Sequence, residues 1–246
     1  MSVKIKYPLL LILAIILILG MLRLAVWQLE RAEYKQANLD LMLSRSKLAS
    51  QDLRNMLNDL SVENGRYRNV SVIGHYMPAK SIYIDNQVVQ GQVGYLVFTP
   101  FKLRDSEHTV MVNRGWLSVG DSREELPLFE TNKHEQTLHG RLNTPPEKPP
   151  LWNDTYAVAQ GKVWAYLPLS QYEAEMQLKM LPLVVELSPI ENSKKGSKFK
   201  IFWQPIGDQW VAKHKGYAFQ WLMMAIAFFI ACCVLLLNSL RHKPKS

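Results

Sequence analysis

Residues 93–119 read VGYLVFTPFKLRDSEHTVMVNRGWLSV, which is two runs of β-branched and aromatic residues separated by the polar segment RDSE. Residues of the first kind favour strands, and Asp and Ser favour turns. Similar runs recur at spacings of roughly ten residues, and the connections are too short for the helices that link parallel strands. They are RYRNVSVIGHY, SIYIDNQVV, EQTLHGRLN, YAVAQGKVWAYL and LPLVVELSPI. We therefore expect an antiparallel sheet or barrel over residues 65–204.

The segment before these runs has a helical pattern. Residues 30–60 contain no Pro or Gly, and their apolar residues lie mostly at helical spacing. The apolar positions are Leu39, Leu43, Leu53, Met56, Leu57 and Leu60. We expect a helix over residues 30–62 that continues or hinges from the preceding segment near Trp27 and stops before Asn64.

Two loops interrupt the strand-like region. The segment NTPPEKPP, residues 143–150, is too rich in proline for a strand or helix interior and predicts a rigid loop. The segment SKKGSKFK, residues 193–200, is basic. It is interpreted as a solvated turn, with a docking patch for acidic partners or lipid headgroups as the alternative.

Long apolar runs lie at both ends of the chain. Residues 7–29 are mostly apolar and are interrupted by Arg23, and residues 216–240 contain no Asp, Glu, Lys or Arg. A helix of this length crosses a hydrocarbon core of about 30 Å, so we place transmembrane helices at residues 7–29 and 214–240. A cleaved signal peptide is the alternative for the first run, but the run is longer than usual and lacks a small-residue cleavage pattern.

The charges indicate how the chain is oriented. Basic residues lie in both tails, residues 1–6 and 241–246, so the positive-inside rule places both tails in the cytoplasm and residues 30–213 on the opposite side. All 21 acidic residues lie between the two apolar runs, where the net charge is only +2 of the total +8. The excess charge therefore reflects topology rather than nucleic-acid binding. The expected fold is two transmembrane helices that flank a β-rich, extracytoplasmic α+β domain.

The sequence contains no familiar catalytic or metal-binding motif. The two cysteines, Cys232 and Cys233, are adjacent within the second apolar run and are interpreted as apolar filler. Five histidines lie between the apolar runs or at the edge of one, without the spacing of a metal cage: His75, His108, His134, His139 and His214. We therefore expect no enzymatic activity.

The densest local feature is MVNRGWLSVG, residues 111–120. Here Gly115 permits a bulge or a positive φ, Arg114 is expected to pair with a carboxylate, and Trp116 is expected to fill the core. Gly91 and Gly94, between two strand-like runs, indicate a turn or bulge.

Five segments, in this order, resemble motifs of the surfeit locus protein 1 family of cytochrome oxidase assembly factors. They are WQLERAEYK (27–35), GRYRNVSVIGHY (65–76), GQVGYLVFTPFKL (91–103), VMVNRGW (110–116) and HKGYAFQW (214–221). The resemblance covers nearly the whole chain. The resemblance implies a partner-binding or structural role for ten motif residues. They are Trp27, Gln28, Arg31, Gly94, Tyr95, Pro100, Asn113, Arg114, Gly115 and Trp116.

The resemblance implies a membrane-anchored factor that helps to mature haem-copper cytochrome c oxidase without catalytic turnover. It implies that the protein holds haem a or passes it to the catalytic subunit of the oxidase. The implied partners are that subunit and the haem a synthesis enzyme.

His214 is the candidate ligand for haem iron. On a helix, His214, Tyr217 and Trp221 share a face with Ala218 and Ala225, so the two rings would provide apolar walls and the alanines would leave room for the macrocycle. The haem propionates could then meet cationic side chains, for which the candidates are Lys213, Lys215, Arg31 and Arg23. An aromatic belt at the membrane interface explains the same residues.

Two hypotheses therefore remain. In the first, the protein carries haem a with His214 as an axial ligand. In the second, it is a haem-free scaffold that holds an oxidase intermediate through the corner formed by residues 114–116. The short, non-amphipathic segment before Tyr7 favours a bacterial inner membrane over a mitochondrion.

Overall fold

A computed structural model describes residues 3–120, 123, 125–146, 148, 157–189, 198–201 and 208–241. The chain divides into two compact units. The helical unit consists of residues 1–41 and 204–246, and the barrel unit consists of residues 42–203. Residues 1–2, most of the second predicted tail, most of the segment 147–156 and all of the segments 190–197 and 202–207 lie outside the described residues.

Two long helices form the helical unit. Helix α1 spans Val3–Ser46, and its last residues belong to the barrel unit; the final helix, named α4 here, spans Asp208–Arg241. Both contain a segment long and apolar enough to cross a membrane, within Leu9–Ser46 and within Gln209–Asn238. The two predicted apolar helices are thus present, and most of their large apolar side chains are exposed.

The less exposed residues of these helices recur at alternating intervals of three and four. This spacing is that of a coiled-coil seam, in which the contacts repeat every 3.5 residues. The seam residues of α1 are Ala14, Ile18, Met21, Ala25, Gln28, Ala32 and Lys35. Those of α4 are Val211, His214, Ala218, Trp221, Ala225, Phe228 and Cys232. Contacts of Gln28 with His214 and of Lys35 with Trp210 show that the helices run antiparallel.

The predicted helix over residues 30–62 is too long, because α1 ends at Ser46. The Asn69 amide donates to the Ser46 carbonyl at 2.9 Å, and Arg45 donates to the carbonyls of Glu63 and Arg66 at 2.6 Å each. After the helix end come a short strand, a 3-10 turn at Leu53–Met56 and helix α2 at Val62–Gly65. The apolar periodicity of this segment is real, but it arises from single turns that pack on the barrel core.

The described residues of the barrel unit form nine strands. They are β1 Gln51–Asp52, β2 Asn69–Tyr76, β3 Ile82–Val89, β4 Gln92–Leu103, β5 His108–Ser118, β6 Gln136–Asn143, β7 Ala159–Gln160, β8 Val163–Trp164 and β9 Lys179–Leu187. Helix α3, Leu169–Met176, precedes β9. The order β2-β6-β9-β5-β4 closes on itself because β2 also pairs with β4, which makes a five-stranded barrel. The prediction of a β-rich, barrel-like domain between two apolar helices is confirmed.

The sheet is nevertheless mixed rather than wholly antiparallel. Strand pairs β5–β9, β3–β8 and β1–β2 are parallel. Parallel neighbours need a long crossover, and the chain provides one between β5 and β9 because β6, the short β7–β8 hairpin and α3 lie between them. Each connection between successive runs is short, so the sequence pattern does not indicate a crossover made of several elements.

Apolar side chains fill the barrel and extend beyond it. The barrel core contains residues from β2, β4, β5, β6 and β9, among them Val72, Phe101 and Leu183. A second cluster lies under α3, and a third surrounds Tyr83 and Tyr95. The corner of residues 114–116 borders this third cluster, which also contains Phe199.

Glycines fix the geometry of the β3–β4–β5 region. Gln90 and Gly91 have φ values of 51° and 79° and form the tight turn expected there. A Cβ on Gly94 would lie 2.2 Å from the Leu117 carbonyl oxygen and 2.4 Å from the Trp116 ring. Gly94 is therefore required for close packing of β4 against β5, whereas Gly91 is required only for backbone conformation.

These two roles predict different costs of substitution. Gly94→Ala should lower the free energy of unfolding by about 3 kcal/mol or more, because the methyl group meets a rigid backbone carbonyl. Gly91→Ala should cost about 1–2 kcal/mol from backbone strain alone, since open space surrounds that Cα. Chemical denaturation of the full chain in detergent measures both values. Equal losses for the two variants would contradict this packing.

Candidate functional site

The seam of the helical unit brings two of the sequence motifs together. Nδ1 of His214, from the HKGYAFQW motif, lies 2.6 Å from Oε1 of Gln28, from the WQLERAEYK motif. The two residues are 186 positions apart in the chain. Both remain partly exposed on the seam. A polar pair at a seam position otherwise occupied mainly by apolar residues fixes the register of the two helices.

Small side chains surround this pair along the seam. Ala25 and Ala32 lie within a turn of Gln28 on α1 and are 7% and 1% exposed, and Ala218 lies one turn after His214 and is 4% exposed. Trp221 is half-buried on the same seam. Tyr217 lies beside the seam and is 52% exposed, so the predicted shared face holds for the other residues but not for Tyr217.

Cationic and aromatic side chains lie near the same end of the helix pair. Lys35 and Lys213 place their ammonium groups 5.5 and 4.9 Å from the centre of the Trp210 ring. The Arg31 guanidinium lies 5.4 Å from the centre of the Tyr34 ring. Positive charge therefore collects on both helices within two turns of His214, on side chains long enough to reach an anionic group.

The remaining cationic candidate has a different partner. Arg23 lies 3.6 Å from Glu30, and both side chains are exposed. Trp27, another motif residue, is 47% exposed on α1. Arg23 and Trp27 do not belong to the seam and lie on the outer surface of the helical unit.

Haem is a metal centre to which a single imidazole, such as that of His214, could supply the protein ligand. Within the described part of the chain, no group of three or more His, Cys, Asp or Glu residues could hold a metal ion. Haem iron has four ligands from its own ring and takes one or two axial ligands from a protein, for which one imidazole suffices. His214 provides such an imidazole, and its neighbours on the seam include alanines, whose side chains are small.

The motif residues of the barrel unit form a separate, structural corner. Val97 pairs with Gly115 and Phe98 with Asn113, so Arg114 is the extra residue of a β-bulge, as Gly115 predicted. Gly115 has a φ of 114°, and its N–H donates to the Asn113 side chain at 3.0 Å. Trp116 is 1% exposed and fills the core as predicted.

Trp116 also forms hydrogen bonds with two other segments of the chain. Its Nε1–H donates to the Gln87 carbonyl at 2.8 Å, and its backbone exchanges two hydrogen bonds with Lys200, at 2.8 and 2.9 Å. The Lys200 ammonium lies 5.2 Å from the centre of the Trp116 ring. The described end of the predicted basic loop is therefore paired with β5, while residues 190–197 lie outside the described residues.

Arg114 is enclosed by aromatic rings. Its guanidinium carbon lies 4.3, 4.9 and 5.6 Å from the ring centres of Tyr76, Phe199 and Phe129, and it donates to the Thr131 hydroxyl at 3.1 Å. Burial lowers the pKa of the Arg114 guanidinium from its usual value. The expected pairing of Arg114 with a carboxylate stays a prediction.

The other motif residues support the same corner. Tyr95 is 2% exposed and makes an edge-on contact with Tyr83, with ring centres 5.7 Å apart. Pro100 lies on β4 opposite Met111. The sequence did not identify Tyr76, Phe129 or Phe199 as the residues around Arg114, because rings from three distant segments share no local pattern.

Stacking of a desolvated guanidinium predicts that Arg114 cannot be replaced by lysine. Arg114→Lys should lower the free energy of unfolding by about 2 kcal/mol, because an ammonium is more strongly hydrated and cannot stack as a plane. The matched control is Arg123→Lys at the exposed ion pair with Asp85, 3.2 Å long, where we expect less than about 0.5 kcal/mol. Chemical denaturation of the full chain gives both values, and indistinguishable losses would exclude the stacking role.

Comparison with known proteins places these motifs in a family. A SURF1-like protein of Rickettsia bellii is 27% identical over 233 residues, which are 92% of this chain and 88% of that protein. The cytochrome oxidase assembly protein SHY1 of Saccharomyces cerevisiae is 24% identical over 74% of this chain and 51% of its own length. A SURF1-like protein of Drosophila melanogaster is 32% identical over 60% of this chain and 53% of its own length.

The chain thus spans most of the bacterial relative and about half of the yeast and fly relatives. The matched region of the family model, residues 15–226, includes most of α1, the first half of α4 and the whole barrel unit. The chain therefore belongs to the SURF1 family.

Proposed function

We propose that this protein is a membrane-anchored assembly factor for haem-copper cytochrome c oxidase, and that it binds haem a or assists its delivery to the catalytic subunit. The observation that carries the proposal is the placement of His214 on a two-helix seam next to Gln28, at 2.6 Å. The name of the yeast relative, a cytochrome oxidase assembly protein, supports the assembly role.

The helical unit offers three features that suit haem a as cargo. An imidazole is available as an axial ligand to the iron, and haem supplies a flat ring whose edge carries propionates. Exposed apolar side chains along α1 and α4 offer an apolar surrounding for the isoprenoid tail. The propionates would meet cations near His214 on the two helices in charge-assisted hydrogen bonds, for which the candidates are Lys35, Arg31, Lys213 and Lys215.

The protein's own part in delivery is then to bind and to release. No bond in the cargo needs to be broken, so the role requires no catalytic turnover. The partners that follow are the haem a synthesis enzyme, which supplies the cargo, and the oxidase catalytic subunit, which receives it. Binding by one side chain on an open seam suits release better than an enclosed cage would.

We further propose a location in a bacterial inner membrane, with both termini in the cytoplasm and the barrel unit in the periplasm. The basic residues outside both apolar segments, Lys4 and Lys6 at one end and Arg241, Lys243 and Lys245 at the other, support this orientation. It would place His214 at the periplasmic side of the membrane, next to the first residues of the apolar segment.

The alternative is a haem-free scaffold that holds an oxidase intermediate through the Arg114–Trp116 corner. This hypothesis has weaker support, because Trp116 is 1% exposed and is enclosed by the protein's own chain. The backbone of Trp116 is hydrogen-bonded to Lys200, and the Lys200 ammonium lies over its ring, so contacts within the barrel unit already cover this residue.

The test is haem content after co-expression with the haem a synthesis enzymes. Purified wild-type protein should carry haem a, and His214→Ala should lose most of it because the axial ligand is gone. His75→Ala, which removes an exposed histidine of the barrel unit, is the matched control and should retain wild-type haem. Absorption spectra and pyridine haemochrome measurements on each sample give haem per chain.

Two results would overturn parts of the proposal. Unchanged haem in His214→Ala would remove this histidine as the ligand. Haem missing from every sample, with oxidase assembly still dependent on the protein, would favour the scaffold.

A further inference from the structure

The hydrogen bond between Gln28 and His214 has a defined direction. The atom facing the ring is Oε1 of Gln28, a carbonyl oxygen that can only accept, at 2.6 Å from Nδ1 of His214. Nδ1 must therefore carry the proton of the neutral imidazole. The lone pair is then on Nε2, the other ring nitrogen.

We propose that Gln28 is a positioning residue for haem, which holds His214 in the Nδ1–H tautomer so that Nε2 is available to the iron. This inference rests on the function proposed above. Histidines that bind metals usually donate their second ring N–H to a carboxylate, a backbone carbonyl or water, and this partner fixes both tautomer and ring orientation. Here the partner is a side-chain amide contributed by the other helix.

The neighbours of Gln28 on the seam could not take over its contact with the His214 ring. Its seam neighbours on α1, Ala25 and Ala32, are too short to hold the ring or to replace the acceptor. Polar residues at coiled-coil seams reduce stability in exchange for register, so an amide at this position indicates a specific pairing. Because the two residues come from opposite ends of the chain, the ligand is oriented only when α1 and α4 are paired.

The choice of an amide rather than a carboxylate also fits a carrier. A carboxylate partner would make the imidazole a stronger, more anionic ligand, whereas a neutral amide raises its basicity less. We therefore expect Gln28 to favour moderate affinity and exchange of the haem. Gln28→Glu should keep the tautomer and bind haem more tightly, with a lower iron reduction potential and slower transfer to an acceptor such as apomyoglobin.

The experiment uses the full-length protein in detergent or nanodiscs, with four variants: Gln28→Leu, Gln28→Glu, His214→Ala and the control Gln220→Leu. Gln220 is exposed on α4 outside the seam, so the control makes the same chemical change away from the pair. In haem-free protein labelled with ¹⁵N-histidine, the His214 resonances are those missing from His214→Ala. They should report the Nδ1–H tautomer in the wild type, in Gln28→Glu and in Gln220→Leu.

Gln28→Leu should lose this tautomer preference and bind haem roughly 10–100-fold more weakly, which is the usual effect of removing a partner of a metal ligand. Circular dichroism checks that each variant remains folded. If Gln28→Leu does not fold, the wild-type spectrum and Gln28→Glu still decide the question. A wild-type His214 protonated on Nε2 would overturn the inference whatever the variants do.

The outcomes separate this inference from the proposed function. If His214→Ala keeps its haem, the proposed haem site is wrong. If His214→Ala loses haem while Gln28→Leu keeps both the tautomer and the affinity, the haem site stands and the role of Gln28 is wrong. A purely structural role for Gln28 would change helix pairing without changing the reduction potential in Gln28→Glu.

Discussion

The seam between α1 and α4 is the interaction on which the proposed site depends. Neither helix holds a binding site by itself, because one contributes the imidazole and the other contributes its hydrogen-bond acceptor. Alanines on both sides allow the helices to approach, and the alternating three- and four-residue spacing keeps the same faces together over several turns. The Gln28–His214 pair thus forms only when segments from the two ends of the chain meet.

The barrel unit has a different kind of role in this account. Its most motif-rich corner is packed against its own chain: Trp116 against β4 and the Lys200 segment, and Arg114 among three rings. Motif residues of this kind stabilise a fold rather than contact a partner. The contacts of Arg114 and Trp116 therefore account for this motif by packing within the barrel unit.

The sequence predicted those features that have a local signal. Apolar runs located both long helices, alternating β-branched residues located the main strands, and Gly115 indicated the bulge. The sequence did not predict the features that depend on contacts between residues far apart in the chain. The end of α1 at Ser46 depends on Asn69 and Arg45 contacts, the parallel β5–β9 pair depends on a crossover of several elements, and the rings around Arg114 come from three segments. The HKGYAFQW motif makes His214 a candidate, but its pairing with Gln28 depends on the register of two helices that are far apart in sequence.

Crosslinking across the seam tests the central claim most directly. In a background with Cys232 and Cys233 replaced by serine, cysteines at positions 28 and 214 should be joined efficiently by a short thiol-specific crosslinker in native membranes. Cysteines at the exposed positions 27 and 215 provide the comparison and should react far less. Equal crosslinking of both pairs, or none at positions 28 and 214, would show that the two helices do not meet along this seam.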